Sequence, residues 1–125
     1  MVLEALTQQI LKASFQVCNE LGAGFLESVY ENALLIALRD EGVAAKSQVP
    51  LKVPFRGEIV GNFIADIIVE DQVLIELKAV KALASEHIAQ ILNYLKATGI
   101  PVGLLINFGN PKLEYRRFNN NFHEC

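Results

Sequence analysis

Glu76 and Lys78 stand two residues apart in the run Val73-Leu74-Ile75-Glu76-Leu77-Lys78. An apolar, β-branched run of this kind predicts a buried strand, and side chains two apart on a strand share one face. Charges on a buried face are costly unless something partners them. Asp66 interrupts a second apolar run, Phe63-Ile64-Ala65-Asp66-Ile67-Ile68-Val69. If residues 70–72 form a three-residue hairpin loop, the constant index sum of an antiparallel pair sets Val69 opposite Val73 and Asp66 opposite Glu76. Their Cβ atoms then lie about 4.5–5.5 Å apart. An even loop would send Asp66 to the other face. Two carboxylates at that range repel unless a proton or a divalent cation sits between them. Hard oxygen donors suit Mg²⁺ or Mn²⁺, which keep several waters in their shell. Lys78, one pleat further on, can stabilise an anionic transition state or hold a metal-activated water. Two structural alternatives stay open: Glu76 and Lys78 pair as ions, within the chain or in a dimer interface, or their face is open to solvent.

The elements that must position these groups follow from the hydrophobic period. Ile10, Leu11, Ser14, Val17, Cys18 and Leu21 recur at helical spacing, and Gly22 and Gly24 close that helix. Leu26, Val29, Tyr30, Ala33, Leu34, Ala37 and Leu38 mark the core stripe of a second helix that ends at Gly42. Residues 47–55 look extended, and Pro50 and Pro54 place them at a sheet edge. Residues 59–69 and 73–80 predict a hairpin of two largely buried strands. Helical spacing returns from Leu83 to Thr98, with Ile88, Ile91, Leu92 and Leu95 as its stripe. Residues 102–108 predict a buried strand, and 112–118 a more polar one. The order ααβββαβ(β) implies an α/β fold, a mixed sheet of four to five strands flanked by helices, with the 83–98 helix crossing over to a parallel strand. No repeat, low-complexity stretch or linker divides the 125 residues, so residues 1–125 read as one domain.

Composition narrows the classes. The chain is 52% hydrophobic with a mean hydropathy of +0.31, which excludes a disordered or coiled-coil chain. Either the core is large or a second copy covers apolar surface, as in a homodimer. No stretch reaches the roughly 18 apolar residues of a membrane span, and Met1–Phe15 lacks the basic start of a signal peptide. Two cysteines, Cys18 and Cys125, make no disulfide framework, so a reducing, cytoplasmic setting is expected; Cys18 falls on an apolar helix face and reads as core. Residues 1–76 carry 5 basic and 11 acidic side chains, residues 77–125 carry 6 and 3. A polyanionic partner would therefore meet the C-terminal half, through Lys78, Lys81, Lys96, Lys112, Arg116 and Arg117. The overall pI of about 5.3 is low for a nucleic-acid binder.

Asp66, nine intervening residues, then Glu76-Leu77-Lys78 resembles the D…ExK signature of the PD-(D/E)XK nuclease superfamily. The string Gly24-Phe25-Leu26-Glu27-Ser28-Val29-Tyr30 matches the motif that names the GxxExxY protein family within it, and Gln90 with Tyr94 resembles the QxxxY helix motif of an exonuclease-like branch. The resemblance spans essentially the whole chain and implies a restriction-endonuclease-like fold and an Mg²⁺- or Mn²⁺-dependent nuclease acting on nucleic acid, DNA before RNA. It implies Asp66 and Glu76 as metal ligands, joined by the Leu77 backbone carbonyl, Lys78 as the residue that positions the attacking water, and Glu27 as the helix acid that completes the pocket. Gln90, Tyr94, Tyr30 and Lys81 make up the expected substrate-binding set. His87, three residues before Gln90, extends the same stripe as a surface or supporting donor rather than a ligand. A nuclease-like scaffold that binds nucleic acid or a protein without cutting is the alternative.

Overall fold

The structure, a computed structural model, describes residues 3–120. Helices α1 (Glu4–Leu21) and α2 (Glu27–Asp40) come first, followed by strands β1 (Ala45–Phe55), β2 (Glu58–Val69) and β3 (Val73–Lys78). Helix α3 (Ser85–Thr98), β4 (Val102–Asn107) and β5 (Glu114–Asn119) complete the order. The five strands form one sheet in the sequence β1-β2-β3-β4-β5, with β1, the strand carrying both prolines, at an edge. β3 and β4 are parallel and the other neighbours antiparallel, so α3 is the crossover. The hairpin has the odd-loop register: Val69 pairs with Val73 and Ile67 with Ile75.

Each face of the sheet has its own core. Ile10, Tyr30, Leu34 and Leu38 of α1 and α2 pack on Ile67, Ile75, Leu77, Leu104 and Ile106. Ile91, Tyr94 and Leu95 of α3 pack on Leu51, Ala65, Ile68, Leu74 and Leu105. Cys18 is buried in the first core, as expected; Cys125 lies outside the described residues. No helix among the described residues is long and apolar enough to cross a membrane.

Two expectations about burial fail. Leu26 is 78% exposed, because it precedes α2; Tyr30, Leu34 and Leu38 are the α2 residues buried in the core, with Ala33 and Ala37 packed against it. The first half of β2, expected to be largely buried, is not: Ile59, Val60 and Ile64 are exposed. The cause is a roll of the ribbon. Ser47 pairs with Ile67 and Val49 with Ala65, while Gln48 and Asp66 between them drop out of the ladder. Ile67 then faces α1 and α2, whereas Ala65, only two residues away, faces α3. Beyond the roll, α3 covers one face and the other meets solvent.

The strand that carries Glu76 and Lys78 is pinned at its exit by Asn107, which is fully buried. Asn107 Oδ1 accepts from the N–H groups of Val80 (3.0 Å) and Gly109 (2.9 Å), and Nδ2 donates to Val80 O (2.9 Å) and to Glu114 Oε1 (3.0 Å). Gly109 has to be glycine, since a Cβ there would fall 2.0 Å from Val80 O. Replacing Asn107 by alanine leaves buried backbone groups unpaired, and urea unfolding should show a loss of roughly 2–4 kcal/mol.

Candidate active site

Backbone pairing between β2 and β3 ends at Ile67–Ile75, and side chains take over where it stops. The Asp66 N–H donates to Glu76 Oε2 at 2.8 Å, and the Leu77 N–H donates to Asp66 Oδ2 at 2.8 Å. Each carboxylate thus fills a place in the ladder that a carbonyl would otherwise hold. This crossed pair keeps the two acids side by side, with one oxygen of each spent on the backbone. Glu76 is buried and Asp66 half-buried.

Burial raises the Glu76 pKa to about 8, reinforced by the neighbouring Asp66 charge and offset in part by the Asp66 N–H and the Lys78 ammonium. Asp66 is also pushed above the usual carboxylate range, mainly by desolvation; the Leu77 N–H and Lys78 oppose that rise. Lys78 is therefore close enough to act on both acids. Its Nζ donates to Gln90 Oε1 at 3.3 Å, and Gln90 Nε2 donates to the Tyr94 hydroxyl at 3.2 Å. Residues i and i+4 of α3 thereby carry a polar chain from the β3 ammonium along the helix. Burial, then the Glu76 and Asp66 charges, raise the Tyr94 pKa, so its hydroxyl keeps its proton.

Helix α2 supplies two further acids. Glu27 opens the helix and is exposed, yet its charge acts on both Asp66 and Glu31. Glu31, one turn on, has its pKa raised by desolvation and by Asp66 and Glu27, against a hydrogen bond from Gln48. Gln48 Nε2 lies 3.0 Å from both Glu31 oxygens, and the same side chain also lowers the Asp66 pKa. Gln48 sits at φ 51, a left-handed conformation that costs a side-chain-bearing residue roughly 1–2 kcal/mol. The bend in β1 that this conformation makes brings an amide between two acids on different elements. Strain of this kind tends to persist where function needs it. Gln48→Gly should therefore hold or raise the melting temperature while weakening divalent-cation binding by roughly tenfold or more, read by calorimetry on the same preparation. Equal affinity in parent and variant would make Gln48 a mere bend.

The structure thus brings together Asp66, Glu76, Lys78, Gln90 and Tyr94, with Glu27 within electrostatic reach. It does not bring Tyr30 there. Tyr30 is fully buried, stacked on Phe108 at 4.7 Å, with its hydroxyl donating to Gly22 O (2.6 Å) and accepting from the Phe25 N–H (3.2 Å). Those bonds fold the loop that launches α2, and Gly24 at φ 113 lets the loop turn. Tyr30 and Gly24 accordingly set where Glu27 starts. Lys81 is exposed, its carbonyl held by Asn110 Nδ2. His87 Nδ1 accepts the Ala84 N–H at 3.0 Å and caps α3. Arg116 and Arg117 lie on β5, two strands from β3 and so about 10 Å away in the sheet. Glu31 and Gln48 are the residues that spacing did not point to. Glu31 follows Glu27 by one helical turn, which was a usable signal; Gln48 carried none.

Among the described residues, no three His, Cys, Asp or Glu side chains are arranged to hold a metal ion. Asp66 and Glu76 make a pair, and an ion there would need backbone oxygen and water for the rest of its shell. The fit is chemical: a buried and a half-buried carboxylate whose charged forms repel are stabilised by a divalent cation, and both donors are hard oxygens.

A family model described as the PD-(D/E)XK nuclease superfamily matches residues 4–118. No curated protein matches the sequence. Among solved structures, the chain is similar to the crystal structure of SSO0001, with a TM-score of 0.60, 18% identity, and coverage of 74% of this chain and 49% of that one. It is also similar to an alkaline exonuclease (LHK-Exo) from Laribacter hongkongensis, with a TM-score of 0.57, 15% identity, and coverage of 76% and 56%. The chain therefore spans about half the length of the structures it matches. These likenesses show the restriction-endonuclease-like fold of a mixed sheet flanked by helices.

Proposed function

Because the chain belongs to the PD-(D/E)XK nuclease superfamily, we propose that it hydrolyses phosphodiester bonds of nucleic acid, DNA foremost, with Asp66, Glu76 and Lys78 as the reacting set. The observation that carries this reading is the crossed pair of hydrogen bonds that seats Asp66 beside Glu76 within reach of Lys78. Asp66 and Glu76 would hold Mg²⁺ or Mn²⁺. The Leu77 N–H turns toward Asp66, and in an extended strand the C=O of the same residue leaves on that edge, so the Leu77 carbonyl is the natural third oxygen. When bound, the cation supplies a water of lowered pKa and polarises the phosphoryl group. Lys78 has three N–H donors and spends one on Gln90, which leaves two for the attacking water and a phosphoryl oxygen. Tyr94 accepts from Gln90 and keeps its own proton to donate. Glu27 completes the acidic side of the pocket. The neighbouring charges of Asp66, Glu27 and Glu31 would repel a phosphate backbone, so substrate binding should itself require the cation.

The Gly24–Tyr30 string supports membership of the GxxExxY branch, and a buried Cys18 thiol with no disulfide among the described residues fits a reducing, cytoplasmic setting. The exposed apolar face of the hairpin fits a homodimer, which sedimentation would read directly. The second reading is a silent scaffold, favoured because no three His, Cys, Asp or Glu side chains among the described residues are arranged to hold a metal ion. A cleavage panel over single-stranded, duplex and branched DNA and matched RNA, with Mg²⁺, Mn²⁺ or chelator, separates the two. Cleavage that survives chelation overturns the cation's role, and no cleavage together with no calorimetric cation binding overturns the nuclease reading.

A further inference from the structure

Residues 53–63 and the last turns of α3 enclose a groove of about 400 Å³ lined by Val53, Pro54, Phe63, Asn93, Lys96 and Ala97. It lies beside the proposed active site and connects to it through side chains. Phe63 packs on Tyr94 with ring centroids 5.1 Å apart, Tyr94 is bonded to Gln90, and Gln90 to Lys78. From Gln90 to Asn93 and Ala97, α3 rises about 5–10 Å, a distance on the scale of one nucleotide step. Phe63 is 39% exposed although its strand neighbour Ala65 is fully buried. Its ring therefore stands on the α3 side of the ribbon with part of its surface uncovered.

We propose that this groove holds the base of one unpaired nucleotide next to the scissile phosphate, stacked on Phe63, and that the substrate is single-stranded or frayed at that point. The inference rests on the nuclease reading for the position of the phosphate. The lining fits a base: the aromatic ring of Phe63, hydrocarbon from Val53, Pro54 and Ala97, and an amide from Asn93 for a base edge. Lys96 adds positive charge where the backbone would pass. A base inside a duplex is stacked on its neighbours and cannot meet Phe63, whereas every unpaired base offers a π-face. The roll at Gln48 and Asp66 turns Phe63 to this side, so the feature that distorts the strand at the acids also presents the stacking ring.

The test is fluorescence anisotropy in Lys78→Ala protein with Mg²⁺, which spares the probe from cleavage. Three labelled probes are used: a short single-stranded DNA, the duplex of the same sequence, and an abasic strand of equal length. The single strand should bind roughly tenfold more tightly than the abasic strand. Adding Phe63→Ala should remove that advantage, Phe63→Trp should keep it, and the duplex should not respond to Phe63. Equal binding of the single and abasic strands overturns the proposal, and so does equal loss on the duplex. The contrast between the single and abasic strands needs no Phe63 variant, so it decides the matter even where Phe63→Ala folds poorly. Cleavage by the parent protein is scored separately on a gel: failure there breaks the nuclease reading, while failure of the base contrast with cleavage intact breaks only the groove.

Discussion

Lys78→Ala is expected to lower single-turnover cleavage at saturating Mg²⁺ roughly thousandfold or more while leaving the fold in place. The expectation comes from what the ammonium does and what it does not. It is half-buried and its hydrogen bond to Gln90 Oε1 is long at 3.3 Å, so its removal should shift stability by no more than about 1 kcal/mol. The neighbouring backbone is held independently, by the Phe108 N–H donating to Lys78 O at 2.8 Å and by Asn107 on Val80. In the proposed reaction the same ammonium would face the place where negative charge develops, and loss of one such donor costs roughly a hundredfold to a thousandfold. Loss of its hold on the water adds to that. The acids are better tested as Asp66→Asn and Glu76→Gln than as alanines, because each carboxylate also accepts a backbone N–H that alanine would strand. A Lys78→Ala protein that cuts within tenfold of the parent rate would remove Lys78 from the mechanism.

Glu76→Gln is expected to stabilise the cation-free protein above neutral pH, by roughly 2–5 kcal/mol at pH 8–9. The sign follows from the direction of the shift. The folded-state pKa of Glu76 is raised to about 8 from an ordinary value of 4.5, so the folded chain holds that proton more tightly than the unfolded chain. The stabilisation is complete below about pH 4.5 and is lost as the pH climbs through about 8. Asp66 shifts the same way and adds to the slope. Glutamine keeps the oxygen that accepts the Asp66 N–H, carries no charge to desolvate, and turns an N–H₂ toward the Asp66 carboxylate. Thermal melting of parent and variant across pH 5–9 in chelator should show curves that separate with rising pH. Mg²⁺ should close the gap by stabilising the parent alone, since a ligand that binds the folded state raises its stability by mass action. Parallel curves across that range would mean that Glu76 is not held protonated by its surroundings.

Much of this architecture was legible in the residue pattern, because it depends on local period and turn length. The three-residue loop at Glu70–Gln72 decided the hairpin register, and the register decided that Asp66 and Glu76 share an edge. Helical spacing from Leu83 to Thr98 between two apolar strands required a crossover, and β3 and β4 are parallel. The i, i+4 spacing of Gln90 and Tyr94 put both on one helix face, where they do meet. Where motif and burial disagreed, the motif misled. Tyr30 stands on the helical core stripe as well as in the expected substrate-binding set, and Gly22, Phe25 and Phe108 around it hold it in the core.

What the chain order settled alone was the set of elements, their pairing partners and the two acids opposed across a hairpin, since each of these follows from residue spacing along a single or adjacent segment. Only the tertiary fold decided that the β1–β2 ribbon rolls over at Gln48, that Glu31 joins the acids, and that Ile59, Val60 and Ile64 face water while Phe63 meets α3. A left-handed glutamine has no sequence mark, and which face of a strand is covered depends on helices distant in the chain.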